Sequence, residues 1–375
     1  MKWLNFKFKE KLCLSHVLVP LFLFTLFSGA LTPLPAEGQE RLQTLEKEIE
    51  KLKKAYRNLT KPKVRSDFDI PKLSIRGFGH LQYDVKSSTL KTGGVDTGHD
   101  NTNNFTNGGV DLFITSQISS KLSFLNETVF EFGPGGQNIL DVERVMLKYD
   151  FANWLNVGLG RGHTALGYWN QRFHHGTWLH TTTDRPIIYR FEDDGGILPV
   201  HFVGLEFSGT LDFDLGAFSY IGNVGNGRGA ITDSVQLVED LNDEKQLSFM
   251  FTVEPAAIEG LGIGANILYD VIPKNADVAT RNQEINETIV GTHLFYIDEL
   301  VELIMEVQYI HHELGFNKDH YGAYAQFALT FGDIKPYYRF DALRIDEGDP
   351  FFDGLAEVED SDLHTFGVRY DWFPF

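Results

Sequence analysis

"VELIMEVQYI", residues 301–310, places apolar side chains at Val301, Leu303, Met305, Val307 and Tyr309, with Glu302, Glu306 and Gln308 between them. Successive side chains of an extended strand point to opposite faces, so this period of two makes one face apolar and the other wet. "LGIGANILYD", residues 261–270, repeats the pattern: Leu261, Ile263, Ala265, Ile267 and Tyr269 alternate with Gly262, Gly264, Asn266 and Asp270. So do residues 247–253 and 321–331, and Ile334, Pro336, Tyr338 and Phe340 set against Lys335, Tyr337, Arg339 and Asp341. Fourteen strands are expected, starting near Lys72, Gly109, Lys121, Ile139, Leu155, Val200, Leu211, Lys245, Leu261, Asn286, Val301, Tyr321, Ile334 and Leu363.

The connections alternate in length. Short turns ("SSK", "DFANW", "SGT", "EPAAIEG", "IDE", "FGD") take turns with longer polar segments after Asp84, Phe132, Gly162, Gly222, Asp270, Ile310 and Leu343. A chain running up and down, with tight turns at one rim and long loops at the other, has this rhythm, as do transmembrane barrels with strands of about 9–11 residues. A secreted β-sandwich would concentrate its aromatic residues inward at mid-strand. Here Tyr83, Tyr149, Tyr269, Tyr338 and Trp372 lie toward strand ends, where an interfacial girdle sits. The expected fold is an all-β, antiparallel, up-and-down transmembrane barrel over residues 72–375 with 14 strands. It becomes 16 if the stretch between the fifth and sixth strands, which includes "TTTDRPIIYRF", forms one more hairpin.

Ahead of the strands, Lys2, Lys7, Lys9 and Lys11 precede the apolar run "VLVPLFLFTLF" and then small residues, which reads as a signal peptide over residues 1–36. The run is shorter than the roughly 20 residues a membrane helix needs. Its removal leaves 29 basic against 51 acidic side chains, a net charge of −22, so nucleic acid is excluded as a partner. The only cysteine, Cys13, leaves with it, and the mature chain has no disulfide or thiolate site. Residues 37–60 read as a coiled-coil helix: Leu42, Leu45, Ile49, Leu52, Tyr56 and Leu59 follow steps of 3 and 4, with Glu48 and Lys53 placed to attract across neighbouring helices. Three heptads are marginal alone, so the seam is expected to work where something else brings chains together. Residues 61–71, with two prolines and no period, are a linker.

The longest connection, residues 163–197, contains "RFHHGTWLHTTTDRPIIYRF". A loop of about 35 residues with Trp169, Phe173, Trp178 and Tyr189 buries those rings only against the barrel wall, so it is expected to fold inward. Its Arg172, His174, His175, Arg185, Arg190, Glu192, Asp193 and Asp194 are the candidate constriction residues. No metal site is expected among His163, His174, His175 and His180, because adjacent histidines on extended chain point apart. No spacing singles out a nucleophile with its base, so a lipase or protease has no residues to rest on. The acid-rich segment 346–362, with eight carboxylates and one neighbouring arginine, Arg344, is expected to bind Ca²⁺ or Mg²⁺ weakly at most; no other cofactor is expected.

The C-terminal "HTFGVRYDWFPF", with alternating Phe366, Val368, Tyr370 and Trp372 and a terminal Phe375, resembles the closing strand of Gram-negative outer-membrane porins, with Phe373 and Phe375 out of phase with Trp372. The layout of signal, short coiled coil and barrel resembles DcaP-like trimeric porins. The resemblance implies the Gram-negative outer membrane with the coiled coil in the periplasm, lipopolysaccharide and lipid around the barrel, and Trp372, Phe373 and Phe375 read by the barrel assembly machinery. It also implies a homotrimer and a passive diffusion channel for small hydrophilic or charged solutes. A barrel of 14 to 16 strands leaves an aqueous lumen unless a plug intervenes. The alternative is a structural tether in which the coiled coil reaches the cell wall and the barrel only anchors it. In a closed barrel Lys335, Arg339, Arg369 and Arg76 share the lumen face of neighbouring strands, an expected basic wall opposite Glu192, Asp193 and Asp194.

Overall fold

The computed structural model describes residues 72–92, 95–132, 138–173, 179–191, 195–232, 239–275, 282–352 and 358–372, with Lys47 and Lys51, both exposed and helical. The signal peptide, the linker, and the coiled-coil core positions Leu42, Leu45, Ile49, Leu52, Tyr56 and Leu59 lie outside the described residues, as do His174, His175, Glu192, Asp193, Asp194, Phe373 and Phe375.

Fourteen strands make one sheet in chain order, each antiparallel to the next. They are β1 (Lys72–Thr92), β2 (Val95–Gln117), β3 (Leu122–Phe132), β4 (Asn138–Ala152), β5 (Leu155–His163), β6 (His201–Phe213), β7 (Gly216–Asn226), β8 (Gln246–Pro255), β9 (Leu261–Ile272), β10 (Ile285–Ile297), β11 (Val301–Glu313), β12 (Asn317–Leu329), β13 (Ile334–Arg344) and β14 (Ser361–Tyr370). Among the described residues no helix is long and apolar enough to cross a membrane.

The molecule is turned inside out. Leu247, Phe249, Val253, Ile263, Ile267, Val290, Met305, Val307 and Phe327 are exposed, whereas Gln246, Asn266, Asp270, Glu287, Glu306, Gln308, His312, Arg339 and Asp341 are buried. A soluble monomer rarely shows an apolar patch beyond a few hundred Å², so a band spanning many strands calls for an apolar solvent. Cross-strand aromatic pairs knit that outer face: Tyr309 with Tyr321 at 5.0 Å, Phe218 with Phe251 at 5.8 Å, and Tyr338 with Phe366 at 4.8 Å.

Four expectations change. The segment after Ile310 is no long connection: the β11–β12 ladder continues to Glu313↔Asn317 and leaves a tight turn at residues 314–316. The segment after Asp84 is not a loop: the β1–β2 ladder continues through Asp84↔Asn104 to Thr92↔Val95, so β2 begins well before Gly109. Backbone pairing needs no side-chain alternation, and alternation is what the sequence reading followed. The turn expected at residues 208–210 lies inside β6, and the chain reverses at Asp214 and Leu215 instead, where Gly216 takes φ +146°. Residues 181–191 form no strand. They hold a single 3₁₀ turn, Ile187–Tyr189, and among the described residues the loop adds no hairpin to the fourteen strands, against the sixteen-strand alternative.

The sheet curls so that its two ends, β1 and β14, flank one cavity of about 580 Å³ with residues 180–183 of the long loop between them. Among the described residues no ladder joins β14 to β1.

Candidate functional site

The connection between β5 and β6 crosses the concave face and docks on β9–β13. Leu166, Trp169, Ile188, Tyr189, Ile197 and Leu198 from the loop pack in one cluster with Leu268, Ile272, Ile285, Ile289, Ile304, Ile310, Tyr324 and Leu343 from the strands, all at most 2% exposed. The strand residues occupy the phase that should be wet. A buried aliphatic or aromatic side chain contributes about 1.5–3 kcal/mol, so this cluster is what holds the loop off its solvated alternatives.

Within the cluster sits a carboxylate. Glu306 of β11, 1% exposed, accepts four hydrogen bonds: from Tyr168 N–H at 2.9 Å, Trp169 N–H at 2.8 Å, Tyr189 O–H at 2.8 Å and Tyr324 O–H at 2.6 Å. The two backbone donors open the short helix Tyr168–Arg172, whose first N–H groups have no partner within so short a helix. Gly167 precedes them at φ +61°, where a Cβ would collide with Tyr189 Oη and Glu306 Oε2. Only glycine fits there. Gln308 and Asn266 exchange bonds at 3.0 and 3.1 Å, Asn266 Oδ1 accepts Gly167 N–H at 3.2 Å, and Gln308 donates to Tyr189 Oη at 3.3 Å. The lattice has acceptors and donors in balance, which is what a buried polar network requires.

A second clamp sits on β13. Arg339, fully buried, donates to Asp341 at 2.7 Å, to Thr182 Oγ1 at 2.8 Å, and to the carbonyls of Asp184 and Arg185 at 2.6 and 3.1 Å. The other Asp341 oxygen accepts Ile187 N–H at 3.0 Å. Arg369 donates to the His180 carbonyl at 2.8 Å, and Lys335 to Glu302 at 2.6 Å, an oxygen that also accepts Thr181 O–H at 2.8 Å. Burial, then Arg185 and Arg339, push His180 down to about 3, so its ring is neutral. Of the expected basic wall, then, Arg339, Arg369 and Lys335 do face inward, and all three are tied into loop docking. Arg76 faces inward and is exposed.

The loop cations divide similarly. Arg185 lies over the rings of Phe191 at 3.8 Å and Trp169 at 5.6 Å, inside the docked body. Arg190 is half-buried, and Arg172 is exposed, 5.9 Å from the Tyr168 ring. His163 and His180 join no metal-ligand cluster among the described residues. The acids of residues 346–362 also have protein partners: Lys318 with Asp346 at 3.1 Å, Ile345 N–H with Asp360 at 2.8 Å, and Arg344 with Asp362 at 2.7 Å.

Docking on β9–β13 leaves space along the other wall. A cavity of about 500 Å³ is lined by Lys72, Arg144, Lys148, Glu206, His163 and Gln171 among others. A second, of about 330 Å³, shares Lys148 and Gln171 and adds Arg172, Tyr168, Ser208, Thr252 and Glu254. Arg144 pairs with Glu127, while Lys148 stands 3.8 Å from Glu206. Four cations on β1, β4 and the loop helix therefore border the open space.

No protein-family model matches the sequence, and no curated protein does. Among solved structures, the anion-selective porin from Comamonas acidovorans aligns over 79% of this chain and 84% of its own, with TM-score 0.51 and 11% identity. The fold is a porin fold. OmpT, an outer membrane protein of Vibrio cholerae, in its trimer form, covers 80% of this chain and 99% of its own at TM-score 0.41 and 13% identity, a score that adds nothing further.

On this porin fold the residues that sequence reasoning missed are the acceptors: Glu306, Glu302 and Asp341. Each sits in the wet phase of its strand, where a lumen carboxylate is unremarked. The available signal was the company they keep, since Ile304 and Ile310 occupy the same phase of β11 as Glu306 and Gln308. Aliphatic residues on a supposedly wet face mark something packed against it.

Proposed function

We propose that this chain is an outer-membrane diffusion channel for small hydrophilic or charged solutes, with the 163–197 loop as its constriction. The observation that carries the reading is the one-sided docking of that loop, which leaves two neighbouring cavities sharing Lys148 and Gln171, bordered by Lys72, Arg144 and Lys148 on the other wall and by Arg172 on the loop helix. Closure of the seam between β1 and β14 belongs to the proposal, because open strand edges in lipid would leave backbone N–H and C=O groups unpaired. So do the homotrimer, the Gram-negative outer membrane with its lipopolysaccharide, and Trp372, Phe373 and Phe375 as the assembly signal. The porin fold and the exposed apolar band support them.

The test is planar-bilayer conductance of the purified protein. Steps in threes are expected for a trimer, whereas an inserted barrel without conductance would favour the tether. Selectivity should reside at the cations that border this space. In Lys148→Glu with Arg172→Glu, local charge changes by four units, and a unit charge about 8 Å from a permeating ion in water contributes about 0.5 kcal/mol. Four units sum to about 2 kcal/mol for a monovalent ion, roughly thirtyfold and opposite in sign for cations and anions, so the cation-to-anion permeability ratio should rise by well over tenfold at low salt and by less as ionic strength rises. An unchanged reversal potential in a conducting variant would remove these residues from the permeation path.

Deleting residues 37–59 should leave an insertable barrel and a trimer that melts at lower temperature, because a heptad seam joins chains where water makes apolar contact effective. A trimer melting temperature equal to that of the full chain would count against the coiled coil.

A further inference from the structure

On the long-loop side of the sheet lies a second buried polar cluster, in which His312, His320 and Asp349 bond to one another rather than to the constriction loop. His312 lies near the end of β11 and His320 on β12; neither is exposed, and Asp349, 1% exposed, comes down between them. A single oxygen, Asp349 Oδ2, lies 2.6 Å from His312 Nδ1 and 2.8 Å from His320 Nε2. His312 Nε2 is 2.9 Å from Glu287 Oε1 on β10, and Arg228 holds that carboxylate at 3.0 Å. Phe352 covers the cluster, its ring centroid 5.4 Å from His312 and 5.0 Å from His320.

We propose that His312, His320 and Asp349 form a site for a divalent transition metal of the zinc class, with Glu287 as the carboxylate behind His312. The three ligand atoms lie within 4.8 Å of one another. A tetrahedral metal with nitrogen and oxygen ligands at about 2.0–2.1 Å holds them roughly 3.3 Å apart, so each nitrogen–oxygen separation need widen by only about 0.5–0.8 Å. Small side-chain rotations accomplish that. His312 Nε2–H donates to Glu287 Oε1, and the metal replaces the proton that Nδ1 shares with Asp349, releasing it to solvent, which leaves the ring held as a metal-bound histidine usually is. Two imidazoles and one carboxylate suit Zn²⁺, Co²⁺ or Ni²⁺, whereas Ca²⁺ and Mg²⁺ require six or more oxygens.

Binding has a structural consequence. Metal at His320 Nε2 places the ring proton on Nδ1, where Asp346 N–H now donates at 3.2 Å. Two donors cannot face each other, so Asp346 turns outward as the metal seats. The ion then bolts the segment around Asp349 to β11 and β12, stiffening the outer rim of the barrel.

The experiment uses the untagged full chain, folded in detergent, stripped with chelator and titrated with Co²⁺. One cobalt per chain is expected, with the strong visible absorption of a tetrahedral centre, displaced by Zn²⁺ and unaffected by Ca²⁺ or Mg²⁺. His312→Gln and Asp349→Asn should each weaken binding by more than the roughly 10–100-fold expected for Glu287→Gln, the outer-sphere change. His311→Gln, next along the strand and pointing to the other face, should bind as the native chain does. Absence of stoichiometric uptake by the folded native chain overturns the proposal without recourse to any variant. Uptake that survives His312→Gln and His320→Gln together overturns it equally.

Discussion

Replacing Glu306 by alanine should undock the 163–197 loop while leaving the sheet intact and, if the chain is the channel proposed above, raise single-channel conductance. The carboxylate accepts from four buried donors, two of them backbone N–H groups at the start of the helix Tyr168–Arg172. Each donor left without an acceptor costs about 1–3 kcal/mol, so docking loses about 4 kcal/mol or more even when water enters to replace part of the set. The ladders on either side of β11 are backbone interactions and persist. Glu306→Gln should fall between: its amide presents N–H groups to one of the two donor pairs and still accepts from the other. Conductance, protease cleavage within the loop and thermal unfolding read the three states. Native conductance and native melting in Glu306→Ala would show that the carboxylate does not hold the loop.

Arg339→Ala should be the second large loss, and a different one. It removes three bonds to residues 182–185 and leaves Asp341 buried with only the Ile187 N–H. Stranding one partner of a buried ion pair costs about 3–5 kcal/mol, most of it from the uncompensated charge. Arg339→Leu combined with Asp341→Leu should therefore recover part of what Arg339→Ala loses, a coupling that a double-mutant cycle measures directly. Arg76→Ala, at an exposed position on the same concave face, should alter stability by no more than about 0.5 kcal/mol. If Arg339→Ala and Arg76→Ala melted alike, the clamp would have no energetic standing. Conductance separates the two clamps: losing Arg339 frees the limb carrying residues 180–187, whereas losing Glu306 frees the helix at residues 168–172.

The two clamp residues also mark how far local pattern reaches. Arg339 and Arg76 were both legible as inward-facing cations, because side-chain phase along a strand is a local property. That one is exposed and the other sealed under a loop depends on residues 182–185, more than 150 positions away from Arg339 in the chain. Similarly, Glu302 and Glu306 look alike in sequence, yet Glu302 meets Lys335, Thr181 and Gln326, and Glu306 receives a helix start and two tyrosines. The β1–β2 hairpin failed in the opposite sense: residues 85–108 lack alternation, and the ladder forms there through backbone bonds that carry no side-chain signature.

The sequence by itself determined an all-β, up-and-down, inside-out sheet with an aromatic-rich loop too apolar to remain in water. Those are consequences of period, turn chemistry and composition, each readable within a dozen residues. Tertiary structure alone decided which wall receives the loop, which of the inward charges are consumed in holding it, and that His312, His320 and Asp349 meet beneath Phe352. Such choices rest on contacts between strands far apart in the chain, and whether a polar side chain becomes a pore lining, a clamp or a ligand depends on what the curled sheet brings to face it.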